Sequence, residues 1–229
     1  MPPGGGFPFD IPALAGLDLA FDTSVTFLVG ENGSGKSTLL EAIAVLARLP
    51  VRGGSRNELG EALAAPDDAG TVLARALRPN WALRPDDAFF FRAEMHAEFA
   101  SMLEKRRADP QFFGDPFARY GGKSLHACSH GEAFLATFDH SLGDGLCLLD
   151  EPEAALSPQR QLALLALVWD RTRGGATQII AATHSPILMT YPGARILCLD
   201  DTGARPVTIE ETSHFQITRG VLGSPEAYW

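Results

Sequence analysis

The stretch "VTFLVGENGSGKSTLLEAIAVL", residues 25 to 46, decides the fold. It opens with an apolar run, Val25 to Val29, continues through "GENGSGKST" and ends in apolar residues at helical spacing. Its middle matches the pattern G-x-x-x-x-G-K-[ST] in full, between a predicted strand and a predicted helix, which is the context this pattern requires. An apolar strand that leads into a helix is typical of a buried parallel sheet in an α/β protein.

The glycine-rich loop in this stretch has the composition of a phosphate site. Glycines let consecutive backbone N–H groups turn inward at a helix N-terminus, which already favours an anion. Lys36 adds positive charge for the β- and γ-phosphates, and the Ser37 hydroxyl is suited to ligate Mg²⁺. We therefore predict a nucleotide site made of these residues: Gly30, Asn32, Gly33, Ser34, Gly35, Lys36, Ser37 and Thr38.

Two later segments place polar side chains at predicted strand ends. In "LCLLDEPEAALSP" an apolar run ends at Asp150, which we expect to hold Mg²⁺ together with Ser37, while Glu151 orients or deprotonates the attacking water. In "IIAATHSP" the strand ends at His184, which we expect to reach the γ-phosphate or its water. Glu153 is a weaker candidate, because a third carboxylate so close to the others also suits the cap of the next helix.

The stretch "CSHGEAFL", residues 128 to 135, allows two interpretations. Ser129 followed three positions later by Glu132, ahead of an apolar run, is the sequence form of a helix capping box. A serine and Gly131 at the opening of a helix also suit a phosphate. The residues alone leave both interpretations open.

The pattern of the remaining chain predicts an α/β P-loop NTPase with a mainly parallel central sheet, antiparallel N-terminal strands and a small helical lobe. The antiparallel pair is expected within "LDLAFDTSVTFLVG", residues 17 to 30. We expect residues 1–229 to form a single domain, with residues 58–122 as an inserted, mostly helical lobe and a helix that starts at residue 129.

Composition limits the classes of partner and compartment. The chain is 45% hydrophobic and 21% charged, as in ordinary globular proteins, and its net charge of −9 disfavours a nucleic-acid-binding domain. The best candidate for a basic patch is residues 105–107, "KRR". Three isolated cysteines, no long apolar run and no signal-peptide pattern predict a cytoplasmic protein without membrane insertion.

These segments, in this order, resemble the ABC-type ATPase superfamily, and most of all the small bacterial "AAA family" ATPases near the RecF, SMC and overcoming-lysogenization-defect groups. The resemblance identifies Gly30 to Thr38 as the Walker A loop, Asp150 and Glu151 as the Walker B pair, and His184 as the switch histidine. It also implies that a signature helix meets the ATP held by a second copy of the chain. The residues in the signature position are Ser129, Gly131 and Glu132.

Two positions depart from the pattern of the superfamily. Ser157 replaces the aspartate of the usual D-loop. The Q-loop glutamine is absent, and Arg92, Ala93 and Glu94 stand in its place. Glu94 is therefore a candidate for the contact with Mg²⁺ and water that the glutamine usually makes, and Ser157 is a candidate for the D-loop contact.

The leading hypothesis is a soluble ATPase that binds Mg-ATP, forms a head-to-tail homodimer around two ATP molecules and hydrolyses ATP to ADP and phosphate. It would drive or gate an unidentified protein partner, in DNA repair or defence, with nucleic acid left open as a partner. The alternative is the ATP-binding subunit of a membrane ABC transporter. A chromosome or repair protein of the SMC type is a further hypothesis, disfavoured by the lack of heptads, and an ATP-gated regulator of a nuclease or toxin is another.

Overall fold

The computed structural model describes residues 6–55, 68–118, 122–127 and 130–229. Within these ranges the strands are β1 (Val25–Val29), β2 (Gly54–Ser55), β3 (Ala88–Arg92), β4 (Gly145–Asp150), β5 (Thr177–Ala182), β6 (Arg195–Asp200) and β7 (Gly203–Val207). The α-helices are α1 (Lys36–Leu46), α2 (Ala69–Ala76), α3 (His96–Ala108), α4 (His130–Ser141), α5 (Pro158–Thr172) and α6 (Ser213–Gly223). None of these described helices has the length and apolar character needed to cross a membrane.

The strands form one sheet in the order β2-β3-β4-β5-β1-β6-β7. The five central strands, from β3 to β6, run parallel, and β2 and β7 pair antiparallel at the two edges. Because the carboxyl ends of parallel strands meet at the same edge of a sheet, the segments that follow β1, β3, β4 and β5 converge there.

Each face of the sheet is covered by helices. In β1, Phe27 points into a core shared with helices α3, α4 and α5, whereas Leu28 points into the opposite core, shared with α1 and α2. Alternate residues of β4 divide between the two cores in the same way, as the period of two in a strand requires. The result is a three-layer α/β/α architecture, which confirms the predicted fold class.

The antiparallel strands lie elsewhere than the sequence predicted. Residues 17–24 contain no strand, and the antiparallel pairing is at the sheet edges instead. The prediction of a strand within residues 17–24, paired antiparallel with Val25–Val29, is wrong, because side chains bind the backbone oxygens of this segment. Gln178 Nε2 donates to the carbonyl oxygens of Phe21 (2.7 Å) and Thr23 (3.2 Å), and Arg195 donates to that of Ala20 (3.2 Å).

The segment predicted as an inserted lobe contributes to all three layers. Its strand β3 lies between β2 and β4, helix α2 packs on α1, and α3 packs on the opposite face of the sheet. The start of the predicted lobe, residue 58, lies within residues 56–67, which are outside the described residues, and its end, residue 122, directly follows residues 119–121, which are also outside them. The boundaries 58 and 122 therefore stay a prediction.

Candidate nucleotide-binding site

The glycine-rich loop connects β1 to α1 in a shape that its glycines permit. Gly30 has φ +148°, and a Cβ atom there would lie 2.3 Å from the backbone oxygen of Leu199. Lys36, the first residue of α1, donates from Nζ to the backbone oxygens of Gly30 (2.8 Å) and Glu31 (3.0 Å). Burial lowers the pKa of the Lys36 ammonium. The lysine side chain therefore reaches back over the loop to the residues that follow β1.

Ser37 and Asp150 bring a hydroxyl and a carboxylate together beside the loop. Ser37 Oγ donates to Asp150 Oδ1 at 3.0 Å, across the junction of α1 and the end of β4. Asp150 is only 5% exposed, and this burial raises the pKa of its carboxyl to about 6, although Arg92 and the hydrogen bond from Ser37 oppose the shift. Mg²⁺ at phosphate sites takes one or two protein oxygens besides phosphates and water, so this pair fits it.

Arg92 is a member of this site that the sequence analysis did not select. It ends β3 opposite Asp150 in the strand register, and its Nε lies 3.6 Å from Asp150 Oδ2. Its guanidinium also pairs with Glu41 (2.9 Å) and Glu94 (2.5 Å) and donates to the backbone oxygen of Val51 (3.1 Å). Three carboxylates therefore surround one arginine. The signal in the sequence was an arginine that directly ends the apolar run "AFFF".

The structure places the predicted residue Glu94 on the outside of this cluster. Its carboxylate contacts Arg92, and its side chain is 66% exposed. The role predicted for Glu94 in place of the Q-loop glutamine stays a prediction.

Glu151 turns the chain away from the sheet directly after β4. It has φ +50°, a left-handed conformation that costs a residue with a side chain roughly 1–2 kcal/mol. Its backbone N–H still donates to Ala182 O (3.0 Å), so the ladder between β4 and β5 continues to this residue. Glu151 Oε1 lies 3.8 Å from His184 Nε2. The two predicted catalytic side chains therefore face each other at the edge of the sheet.

Glu153 holds the backbone of the histidine rather than the end of the next helix. Its Oε1 accepts from the His184 N–H at 2.6 Å, and burial raises the pKa of the Glu153 carboxyl. The N-cap of α5 is Ser157, whose hydroxyl accepts from the Arg160 N–H at 3.4 Å. Glu153 therefore fixes the position of His184, and the helix-cap interpretation of Glu153 is wrong.

His184 has a partner that the sequence analysis missed. Its Nδ1 lies 2.8 Å from Nε2 of His214, in the first turn of α6. Burial lowers the pKa of both imidazoles, and Lys36 adds to the shift at His184. Ser213, the preceding residue, donates to Glu31 Oε1 at 3.3 Å. Helix α6 thus contacts both the glycine-rich loop and the predicted switch histidine.

Two of the three predicted signature residues, Gly131 and Glu132, lie in the first turn of α4. Gly131 is buried, and a Cβ atom there would be 3.0 Å from the backbone oxygen of Ala155 and would also meet the Arg160 side chain. Glu132 pairs with Arg160 at 3.4 Å. The structure therefore places this turn against the segment between β4 and α5. Ser129 lies outside the described residues, so the role of the signature in binding a phosphate stays a prediction.

The sheet thus gathers the loop, Lys36, Ser37, Asp150, Glu151 and His184 at one edge. A glycine loop between a central strand and a helix, with an acidic residue at the end of a neighbouring strand, defines the class of P-loop nucleotide-binding proteins. Along the chain, the glycine loop comes first, then Asp150 and Glu151, and then His184. This is the order of motifs in the ABC-type ATPase superfamily that the sequence resembles.

Comparisons with known proteins identify the family. The family model described as "AAA domain, putative AbiEii toxin, Type IV TA system" matches residues 25–81 and 132–190, together about half of the chain. The chain is 32% identical, over 189 residues, to the cytochrome c biogenesis ATP-binding export protein CcmA of Rhodospirillum rubrum, covering 78% of this chain and 75% of that protein. It is also 32% identical, over 206 residues, to the hemin import ATP-binding protein HmuV of Burkholderia thailandensis, covering 77% and 74%.

Among solved structures, cbiO1 from Clostridium perfringens, part of the ABC transporter complex cbiONQ, aligns with a TM-score of 0.45 at 17% identity, covering 94% of this chain and 90% of that one. The identities and coverage of the two relatives above are high enough to assign the family. The chain belongs to the ABC-type ATPase family and is an ATP-binding cassette.

Proposed function

We propose that this chain binds Mg-ATP, pairs head-to-tail with a second copy and hydrolyses ATP to ADP and phosphate. The observation that carries this proposal is the 3.0 Å contact of Ser37 Oγ with Asp150 Oδ1 beside Lys36. It joins the Mg²⁺-binding hydroxyl of a phosphate loop to the acidic strand end that P-loop ATPases require. The glutamate and histidine needed for a water and a γ-phosphate lie at the same sheet edge.

Each of these side chains has a distinct part in the proposed reaction. Lys36 holds the β- and γ-phosphates, while Ser37 and Asp150 hold Mg²⁺, which neutralises charge that develops on the phosphate oxygens. Glu151 orients the attacking water and accepts its proton. His184 donates a hydrogen bond to the γ-phosphate. Catalysis is then mainly positioning and charge stabilisation, for which a rigid sheet edge is suited.

The proposed dimer is supported by the family to which the chain belongs. We propose that Ser129, Gly131 and Glu132 close the ATP site of the second copy. The buried position of Gly131, against the segment that leads into α5, supports this proposal, because it fixes the position of one residue of the predicted signature.

The comparisons favour a transporter over the leading hypothesis of a DNA-related soluble ATPase. Both named relatives are ATP-binding proteins, one for export and one for import, and each alignment spans about three quarters of the two chains. We therefore propose that the dimer energises a membrane-spanning partner subunit. Nucleic acid, which the sequence analysis left open as a partner, has no support from the comparisons.

The second candidate function is that of a stand-alone ATPase that gates a toxin-like partner. Two observations favour it. The family model is described in terms of a toxin of a toxin–antitoxin system, and Arg92, Ala93 and Glu94 stand where transporter ATPases of this family have the Q-loop glutamine. The catalytic core proposed above is common to both candidates, which differ in the partner that the dimer moves.

The experiment that tests the core function uses the substitution Glu151→Gln. With Mg-ATP, the variant should shift to a dimer in analytical ultracentrifugation, because ATP is bound but no longer cleaved, and its hydrolysis rate should fall at least about 100-fold. Glu226→Gln, an exposed carboxylate near the end of the chain, is the matched control and should behave as the original protein. A Glu151→Gln variant that stays monomeric and fully active contradicts the proposal.

The same trapped variant separates the two candidate partners. Affinity purification of Glu151→Gln with Mg-ATP, from detergent-solubilised membranes and from the soluble fraction, identifies what the dimer holds. A multi-span membrane protein, lost when ATP is omitted, supports the transporter. A soluble partner with the same ATP dependence supports the gated toxin-like system.

A further inference from the structure

The hydrogen bond between His184 and His214 joins the predicted switch histidine to a helix outside the residues matched by the family model. Their facing nitrogens are 2.8 Å apart, and the ring centres are 5.0 Å apart at an angle of 58°. Burial lowers the pKa of both imidazoles from the ordinary value of 6.5, which favours the neutral form of each ring at pH 7. Between two neutral imidazoles, one nitrogen must donate the proton and the other must accept it.

The surroundings of His184 decide which ring donates. Its second nitrogen, Nε2, faces the Glu151 carboxylate at 3.8 Å and forms no hydrogen bond within the described part of the chain. A carboxylate and a phosphate offer only acceptors when ionised, so a proton on His184 Nε2 is favoured there. His184 Nδ1 is then without a proton, and His214 Nε2–H is the donor.

The start of α6 holds His214 in place for this task. Thr212, the N-cap, is 2% exposed; its hydroxyl accepts from the Phe215 N–H (3.3 Å) and donates to Ile209 O (2.7 Å). The 3-10 turn before it carries a capping box between Thr208 and Glu211. Two consecutive caps therefore fix the backbone on which His214 sits, since each satisfies N–H groups that would otherwise lack partners.

We propose that His214 is a positioning residue for ATP hydrolysis: it donates from Nε2 to His184 Nδ1 and so keeps the proton of His184 on Nε2, aimed at the γ-phosphate. This inference rests on the proposed function, and it adds a residue that acts on the switch histidine within the same chain. Without the donor, His184 populates both tautomers, and the form with a lone pair on Nε2 repels phosphate oxygens.

The experiment measures the tautomer and the kinetics in the same proteins. The chain has six histidines, so the imidazole nitrogen signals of ¹⁵N-histidine-labelled, nucleotide-free protein are few, and the substitution His184→Asn identifies those of His184. The variants are His214→Leu, which removes the donor, and His214→Gln, whose amide restores one. Ile217→Ala, at an exposed position of the same helix, is the control.

In the original protein we expect the His184 proton on Nε2. In His214→Leu we expect a mixture of tautomers, a fall in kcat of about tenfold and a KM for ATP within about twofold, as for the loss of one hydrogen bond that acts at the transition state. His214→Gln should recover most of kcat and the single tautomer. Ile217→Ala should change none of these quantities.

Two results overturn the proposal. One is a His184 proton on Nδ1 in the original protein. The other is an unchanged tautomer in His214→Leu, even with a lower kcat, since the helix would then act through packing alone. If the original protein hydrolyses no ATP, the proposed function fails, while the nitrogen signals still decide whether His214 sets the tautomer.

Discussion

The nucleotide-free protein should become more stable at neutral pH when Asp150 is replaced by asparagine. The Asp150 carboxyl is buried at the end of β4 and has a pKa raised to about 6, against an ordinary value of 3.8. An asparagine of the same shape can still accept the hydrogen bond from Ser37, and Arg92 keeps its pairs with Glu41 and Glu94. The substitution therefore removes a buried charge without leaving a charged neighbour unpaired.

The size and sign of the effect follow from this pKa. A raised pKa means that the folded protein retains a proton which the unfolded chain has lost, so stability falls as the pH rises from about 4 to about 6. Each pKa unit corresponds to about 1.4 kcal/mol, so the cost above pH 6 approaches about 3 kcal/mol. In a chain of this length, a loss of stability of this size corresponds to a decrease in Tm of about 6–12 °C. Asp150→Asn avoids this cost at pH 8, while at pH 4 the two proteins should be nearly equal.

The assay is calorimetric unfolding in the presence of a chelator and without nucleotide, at pH values from 4 to 8. Asp144→Asn, an exposed carboxylate just before β4, is the control and should change Tm little at either end of the range. A gain for Asp150→Asn that is the same at pH 4 and pH 8, or a loss at pH 8, refutes the reasoning. The ATPase activity of Asp150→Asn should fall at least about 100-fold, because the carboxylate that holds Mg²⁺ is gone.

Two further substitutions test neighbouring parts of the site. Arg92→Gln removes the cation that opposes the raised pKa of Asp150, so this pKa should rise further and the acid side of the pH profile of ATPase activity should move to higher pH by about one unit. Arg92→Lys should lie between, and equal pH profiles in all three proteins would count against the role of Arg92. Gly131→Ala places a methyl group 3.0 Å from Ala155 O and should destabilise the fold by about 1–2 kcal/mol and weaken the ATP-dependent dimer. Gly174→Ala, which has no atom within 4 Å of the added methyl group, should leave both measurements unchanged, and the same result for Gly131→Ala would remove the basis for its tight packing.

The sequence was sufficient to predict the positions of those site residues that depend only on local sequence pattern and on the direction of the strands. The glycine loop has a fixed spacing, Asp150 ends the apolar strand β4, and His184 follows the end of the apolar strand β5 by two residues. Since parallel strands end at the same edge of a sheet, their meeting with the loop could be predicted without knowing the strand order. The contact of Ser37 with Asp150, which are 113 positions apart, is the outcome.

Arg92 and His214 could not be predicted in the same way, because their contacts depend on tertiary position. Arg92 meets Asp150 only because β3 pairs with β4 in a register that the sequence does not specify. His214 reaches His184 only because α6 returns to the end of β5, after an edge hairpin. The prediction for the N-terminal segment was wrong for a related reason. The alternating pattern predicted that its backbone pairs with another strand, but side chains from β5 and β6 bind its carbonyl oxygens instead.

Without nucleotide, three features of the site lower the stability of the folded protein. Asp150 is ionised at neutral pH although it is buried, Glu151 is in a left-handed conformation, and His184 Nε2 makes no hydrogen bond within the described residues. A cation reduces the cost at Asp150 and a triphosphate reduces the cost at His184, so ligand binding and stability are coupled there. Asp150→Asn should therefore gain stability without ligand and lose most of the increase in Tm that Mg-ATP gives the original protein. An equal Mg-ATP-induced increase in both proteins would show that the buried carboxylate is not where this coupling lies.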